Sequence, residues 1–170
     1  MARVLQTASK ALVVKAPAAV SHSHKNLKSV FLAGPTSGSY DWRGAVIEQL
    51  RDEAINIFNP HRPDWDSSWR EDLTCAPYVE QVRWELEKQE EASVVAVYFG
   101  TGTDAPISLL ELGLCAKEKR AVVFVEEGYS KKGNVQLVCE RYGVELVGNM
   151  TGFRDGIIKL LRSRPRVSFG

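Results

Sequence analysis

The 170-residue sequence predicts a single α/β domain in which helices cover both faces of a parallel sheet. The main observation is that short apolar runs alternate with segments of helical periodicity, in five successive strand–helix units. A second observation is the run Ser93–Gly100 (SVVAVYFG), which is apolar almost throughout. Such a run is typical of a central parallel strand that is buried on both faces.

The elements follow in order after residue 28. The predicted strands are Ser29–Ala33, Ala54–Asn59, Ser93–Gly100, Ala121–Glu126 and Val144–Gly148. The predicted helices are Trp42–Glu53, Tyr78–Ala92, Pro106–Lys119, Lys132–Tyr142 and Thr151–Ser163. Gly34-Pro35 ends the first strand and Pro60 ends the second, since proline does not continue a central strand. The pattern therefore predicts one domain over residues 29–163, followed by a tail over 164–170.

The first 28 residues differ in composition, because they contain Lys, Arg, Ala and Ser but no acid. We expect an extension that is disordered, or that adds Ala11–Lys15 (ALVVK) to the sheet as an edge strand. The alternative is a mitochondrial transit peptide, although the arginine content is low for one. The predicted location is cytoplasmic, with the mitochondrion as the alternative.

The composition argues against several classes of function. The formal net charge is +1, which gives no electrostatic support for nucleic-acid or membrane-surface binding. No apolar run reaches the ~20 residues of a membrane span. The three cysteines form no CxxC pair, and the three histidines lack metal-ligand spacing. We therefore expect no metal, no cofactor and no histidine-based triad.

One helix raises a question about chemistry. The segment Ile107–Ala116 (ISLLELGLCA) carries a single carboxylate, Glu111, among apolar residues. An apolar helix is normally buried, and a buried unpaired carboxylate is costly. Glu111 therefore either points out through a gap or lines a cavity in which it performs chemistry. By helical spacing, Ile107 and Leu114 are expected on the same face as Glu111.

The expected ligand cleft lies beyond the carboxyl ends of the strands, as in other open α/β sheets. It would be formed by three loops, Gly34–Asp41, Asn59–Pro77 and Thr101–Ala105, and by the helices that they enter. Glu85 and Glu111 lie near the starts of two such helices, so both can face one cleft. Gln81 is expected on the same helical face as Glu85.

Several motifs at this edge have a structural alternative. The segment from Gly34 to Gly38 (GPTSG) could hold a phosphate or a sugar, or it could be a plain turn. It is neither GxGxxG nor a P-loop, so it predicts neither a dinucleotide fold nor an NTPase. Thr103 or Asp104 could cap the next helix, with Pro106 in its first position. Asn59 and Arg62 could be turn residues, and Glu85 could be a solvated helix residue.

Taken together, these segments resemble the nucleoside 2-deoxyribosyltransferase family and the related nucleotide N-glycosidases. The matching segments are FLAGP, FNPHRPDW, QVRWELEKQEEASVVAVYF and ISLLELG, spread over residues 29–162. The resemblance implies a flavodoxin-like, doubly wound, five-stranded parallel sheet in the order 2-1-3-4-5. It implies cleavage or transfer of the N-glycosidic bond of a nucleoside or nucleotide, a small-molecule partner, and a homodimer or larger homo-oligomer.

The resemblance also implies roles for individual residues. Glu111 falls on the family's catalytic glutamate, which attacks the anomeric carbon and forms a glycosyl-enzyme. Glu85 falls where the family places an aspartate that holds sugar hydroxyls, and Asp104 would bind sugar or protonate the leaving base. The predicted substrate contacts are Gly34, Pro35, Thr36, Ser37, Trp42, Asn59, Arg62, Gln81 and Ser108.

Two positions depart from the family pattern. Phe31 stands where better-known members have a tyrosine that orients the nucleophile, so Tyr98 or Tyr40 would have to supply that hydrogen bond. Ala105 stands where transferases have an acid. The phosphate-binding Ser and Arg of the nucleotide hydrolases have only loose counterparts, in Thr36, Ser37 and Arg43.

These departures keep two alternatives open. One is a module that binds or senses a nucleotide without turnover, and the other is an NAD glycohydrolase. The sequence separates neither transfer from hydrolysis nor ribose from deoxyribose.

Overall fold

The computed structural model describes residues 10–164, which form a single six-stranded parallel sheet with helices on both faces. The strands lie side by side in the order β1-β3-β2-β4-β5-β6. Their bounds are β1 Leu12–Lys15, β2 Lys28–Ala33, β3 Ile55–Asn59, β4 Val94–Phe99, β5 Ala121–Val125 and β6 Glu145–Val147. From β2 onward this is the predicted flavodoxin-like order, so the fold class is confirmed.

The difference from the predicted sheet is β1, which makes a sixth strand at the edge. It pairs in parallel with β3, from Leu12 opposite Asn56 to Lys15 opposite Asn59. This is the edge strand anticipated at Ala11–Lys15. Residues 1–9 and 165–170 lie outside the described part, so the transit-peptide alternative and the tail stay predictions.

Five helices connect and cover the strands. They are α1 Trp42–Leu50, α2 Ala76–Glu91, α3 Pro106–Ala116, α4 Lys132–Tyr142 and α5 Met150–Ser163. Alternate strand residues point to opposite faces, which divides the core into two layers. One layer contains Phe31 with residues of α2, α3 and α4, and the other contains Val30 with residues of α1 and α5. The central strand β4 is buried along its whole length, as predicted.

Helix boundaries shift by a few residues from the prediction. Helix α1 ends at Leu50 rather than Glu53, and α3 ends at Ala116 rather than Lys119. Lys119 has a φ of +53°, a left-handed conformation that a right-handed helix does not contain. Helix α2 begins two residues earlier than predicted, because Pro77 is compatible with a first turn, where no backbone donor is needed.

Helix α3 is buried on one side only, so the expectation of burial all round is wrong. Ile107, Leu110 and Leu114 are each more than half exposed, whereas Glu111 is buried. Ile107 and Leu114 lie beside Glu111 on the helix surface, as their spacing predicts, but of the three only Glu111 is buried. Within residues 10–164, no helix is long and apolar enough to cross a membrane.

Candidate active site

Glu111 lies inside the protein on the helix that follows the central strand β4. Its side chain is only 8% exposed. The Gln89 side chain on α2 donates a hydrogen bond to the Glu111 carbonyl oxygen at 2.8 Å, which ties α3 to α2 at this point. Ser108, one turn earlier on α3, is buried as well. The carboxylate is thus placed by two helices that both begin at the carboxyl edge of the sheet.

Glu85 on α2 is the second carboxylate of the site. The Gln81 side-chain amide donates to Glu85 Oε1 and to the Pro60 carbonyl oxygen, each at 2.8 Å. The structure thus brings Gln81 and Glu85 together, as their helical spacing predicts. Because Pro60 directly follows β3, the Gln81 amide also fixes Glu85 relative to the end of that strand.

The two carboxyl groups interact electrostatically. The pKa of Glu111 is raised to about 8: burial raises it most, the Glu85 charge also raises it, and the Arg43 charge lowers it. Burial also raises the pKa of Glu85, against the hydrogen bond from Gln81 and the charge of Arg43. At neutral pH Glu111 therefore holds its proton for much of the time.

Helix α1 holds the turn after β2 in place. Trp42 Nε1 donates to the Pro35 carbonyl oxygen at 3.1 Å, and Arg43 donates to the carbonyls of Gly34 and Pro35. Thr36 and Ser37, next along the turn, are exposed. Trp42 is only 3% exposed and stacks on Tyr98, so it supports the turn from below. Direct contact of these residues with a substrate stays a prediction.

The segment before α3 is built differently from the prediction. Neither Thr103 nor Asp104 caps the helix: the cap position is Ala105, which has a φ of +45° and makes no side-chain cap. The Thr103 hydroxyl donates instead to the Gly100 carbonyl oxygen at 2.8 Å. Pro106 does occupy the first turn. A left-handed alanine costs roughly 1–2 kcal/mol, and such strain tends to occur at functional sites.

Asp104 is held at the rim through its backbone. Its carbonyl oxygen accepts a hydrogen bond from the Tyr129 hydroxyl at 2.9 Å, and its side chain is exposed. No hydrogen bond in the described part of the chain ties the Asp104 carboxylate to Glu85 or Glu111. A role in sugar binding or in protonation of the base stays a prediction.

The loop after β3 carries Asn59 and Arg62, and both are engaged within the protein. Asn59 Oδ1 accepts from the His61 amide at 3.0 Å, which is the turn role anticipated as the alternative. The Arg62 guanidinium contacts Asp64 and Glu80, each at 2.8 Å, and lies over the Trp69 ring. These contacts order the loop around an aromatic cluster of Trp65, Trp69 and Tyr78.

Tyr98 does not replace the tyrosine that is missing at Phe31. Its hydroxyl donates to Glu126 Oε1 at 2.5 Å, and its ring lies in the α1/α5 layer of the core, whereas Phe31 lies in the other layer. Burial alone would raise the pKa of Glu126, but the hydrogen bonds from Tyr98 and the Thr101 amide lower it. Tyr40 is half exposed and packs edge-on against Tyr98. Neither hydroxyl is seen to bond to Glu111.

Sequence reasoning missed the central position of Arg43. It appeared only as a loose counterpart of a phosphate-binding residue, yet the structure buries it within electrostatic reach of Glu111 and Glu85. The sequence gives one weak signal, an arginine in the first turn of a helix that follows a binding-edge loop. Arginine is usually exposed there, so its burial could not be predicted.

The fold and site define the class of the protein: it has a flavodoxin-like sheet with a buried carboxylate on the helix that follows its central strand. The family model described as "Nucleoside 2-deoxyribosyltransferase like" matches residues 27–129, which span the sheet from β2 to β5 together with Glu85 and Glu111. The chain belongs to this family.

A solved structure supports the fold independently. It is titled "Crystal structure of conserved protein from Enterococcus faecalis V583" and is 14% identical to this chain. The match covers 78% of this chain and 98% of that chain, with a TM-score of 0.52. No curated protein sequence matches the chain.

Proposed function

We propose that this protein cleaves or transfers the N-glycosidic bond of a nucleoside or nucleotide, with Glu111 as the nucleophile. The observation that carries the proposal is the buried Glu111 carboxylate on the helix after the central strand, whose raised pKa also reflects the charges of Glu85 and Arg43. Membership of the nucleoside 2-deoxyribosyltransferase-like family supports the reaction class. The exposed hydroxyls of Thr36 and Ser37 at the rim would suit a polar sugar or phosphate.

The reaction proceeds in two steps in this proposal. A Glu111 oxygen attacks the anomeric carbon, so a C–O bond forms while the C–N bond breaks and its electron pair stays on the base nitrogen. The base takes up a proton from solvent or from Asp104. Water or a second base then attacks the anomeric carbon from the face that the first base left, loses a proton to solvent or to Asp104, and displaces the Glu111 carboxylate, which is the logic of retaining glycosidases. Glu85 holds the sugar hydroxyls, and Gln81 orients the Glu85 carboxylate.

The nucleophile must be ionised, and the unliganded site disfavours this below about pH 8. A protonated Glu111 cannot attack, so only the ionised fraction of the protein is competent before substrate binds. When substrate binds, sugar hydroxyls that donate to the Glu111 carboxylate would lower its pKa. Exclusion of water by the substrate would raise it. The free protein is expected to show the raised pKa directly in its pH profile.

Chromatography of reaction mixtures tests the proposal. The purified full-length protein is incubated with deoxynucleosides, ribonucleosides, their 5′-monophosphates and NAD, each with and without a free acceptor base. Glu111→Gln is the inactive comparison. Glu90→Gln, an exposed glutamate on α2, is the matched control that should keep full activity.

The pattern of products assigns the activity. Free base formed without an acceptor identifies a hydrolase, and a new nucleoside formed only with an acceptor identifies a transferase. Nicotinamide release from NAD identifies the glycohydrolase alternative. If no compound gives a product but one raises the melting temperature, the proposal fails in favour of the binding module.

A further inference from the structure

The outer side of α3 carries no polar side chain. Its exposed residues are Pro106, Ile107, Leu110, Gly113 and Leu114. The polar residues of the helix, Ser108 and Glu111, are buried instead. A surface helix normally has the reverse arrangement, with its apolar side towards the core and its polar side towards water. The outer side of α3 is therefore suited to contact with a surface that residues 10–164 do not supply.

Exposed apolar residues continue onto the two helices beside α3. The Gln89 hydrogen bond to the Glu111 carbonyl oxygen places α2 on one side of α3, and α4 packs on the other side. Leu86 on α2 is 44% exposed, and Leu137 on α4 is 67% exposed. In the opposite layer, α1 and α5 have no large apolar residue that is exposed, as far as the structure describes them. Apolar residues that cluster on one layer, rather than scatter singly, mark an interaction surface.

The charges at the two ends of α3 indicate what this surface binds. Asp104 lies two residues before the helix and Lys117 directly follows it, and both are exposed. Among the described residues neither takes part in an ion pair. If a second copy of α3 lies antiparallel to the first, Lys117 of each copy comes near Asp104 of the other. The antiparallel arrangement also brings opposite ends of the two helix dipoles together, whereas a parallel one places like charges side by side.

We propose that the protein forms a two-fold symmetric homodimer in which the outer side of α3 packs antiparallel on the same helix of a second copy. Leu86 and Leu137 lie at the margins of the contact, and the charges at the two ends of α3 form part of its rim. Such an interface is isologous, because one patch serves both subunits, and it has the apolar centre and polar rim of protein interfaces in general. The inference does not rest on the proposed function, since Glu111 lies on the inner side of α3 and stays within its own subunit.

Sedimentation velocity of the full-length protein, over a wide range of protein concentration, tests the inference. Leu110→Glu and Leu114→Glu each place a charge in the middle of the proposed interface. Leu73→Glu is the matched control, because Leu73 is a 90% exposed leucine in the loop before α2. Circular dichroism first checks that each variant is folded. Because both positions on α3 are exposed in the single subunit, neither substitution should unfold it.

We expect the wild type and Leu73→Glu to sediment as dimers. Leu110→Glu and Leu114→Glu should each raise the Kd of the dimer at least about 100-fold, since a charge without a partner is costly in the centre of an interface. Lys117→Glu should raise the Kd about 10-fold by repulsion from Asp104 of the other copy. Adding Asp104→Lys to that variant should restore the affinity, because both charges are then reversed.

Three results would overturn the inference. A wild type that stays monomeric at the highest concentration would leave the outer side of α3 to a different partner. A dimer that survives both leucine variants, or that Leu73→Glu also dissociates, would place the interface elsewhere. A double variant that does not regain the affinity lost in Lys117→Glu would rule out the antiparallel arrangement of the two helices.

Discussion

Glu111 carries a free-energy cost that its surroundings only partly offset. In the unfolded chain its carboxyl group ionises at its ordinary pKa of 4.5, whereas in the folded protein it stays protonated to about pH 8. Between these values the folded state binds more protons than the unfolded state, so stability falls as pH rises. The slope from this group is at most about 1.4 kcal/mol per pH unit. Above pH 8 the destabilisation that Glu111 causes no longer grows, because the carboxyl group is ionised in both states.

Glu111→Gln is therefore expected to stabilise the protein at high pH. The variant removes the ionisable group, so its free energy of unfolding at pH 8 to 9 should exceed that of the wild type by on the order of 2–4 kcal/mol. At pH 4 to 5 the advantage should disappear, because the wild-type carboxyl is then neutral in both states. Urea unfolding at both pH values measures this difference. A variant that is less stable than the wild type at pH 9 would show that Glu111 is not desolvated as described.

The same ionisation sets the pH dependence of turnover. A nucleophile with a pKa of about 8 gives a kcat/KM that rises about tenfold per pH unit below pH 8 and levels off above it. Initial rates between pH 5.5 and 9.5 measure this. A profile that is flat, or that falls, across pH 6 to 8 would contradict an ionised Glu111 as the reacting group in the free protein.

At the scale of elements, the site depends on how closely the turn after β2 packs on α1. A Cβ atom added to Gly34 would lie 2.4 Å from Trp42 Cζ2, so no larger residue fits without moving the buried ring. Trp42 and Arg43 both donate to the Pro35 carbonyl oxygen, so displacement of the ring also disturbs the hydrogen bond from the guanidinium to this turn.

Gly34→Ala is expected to lower the free energy of unfolding by about 1–3 kcal/mol, as overpacking does in well-packed cores. It should lower activity as well. Gly113→Ala on α3 is the matched control, since a Cβ there meets open space. Alanine at that helical position should stabilise the protein by roughly 0.5–1 kcal/mol. Thermal and urea unfolding of both variants check the pair, and a neutral Gly34→Ala would contradict the described packing.

Sequence patterns were informative at the scale of the whole molecule because they report on local periodicity and on burial. The apolar run of β4 and the turn residues after β2 and β3 were enough to predict the strands, the helices and the edge where a site should form. The helix of Glu111 was predicted for the same reason, although its exposed outer side was not. The pattern of residues cannot show which side of a short apolar helix meets the sheet.

Contacts between distant elements could not be predicted in the same way. The burial of Arg43 depends on backbone carbonyls of the preceding turn, and the Tyr98–Glu126 hydrogen bond joins the ends of β4 and β5. Both are specific to how these strands end, and neither follows from spacing along one element. The predicted homodimer or larger homo-oligomer also stays a prediction.

Under the proposed function a substrate would contact the turn after β2 and the helices α2 and α3, so its binding should stabilise the whole fold. A nucleoside or nucleotide at a hundred times its Kd is expected to add about 2.7 kcal/mol to the free energy of unfolding. Thermal unfolding of Glu111→Gln with each candidate compound measures this without turnover. If no compound raises its melting temperature, and the wild type also shows no shift, the region around Glu111 is not a nucleotide site.

The most direct test of the central claim is the rate of base release from the best substrate by the wild type, Glu111→Gln and Glu90→Gln, all checked for folding. We expect Glu90→Gln to match the wild type and Glu111→Gln to lose at least about 10³-fold in kcat, as when a nucleophile is removed. Comparable base release by a folded Glu111→Gln would contradict the account, because the buried carboxylate would then have no part in breaking the bond.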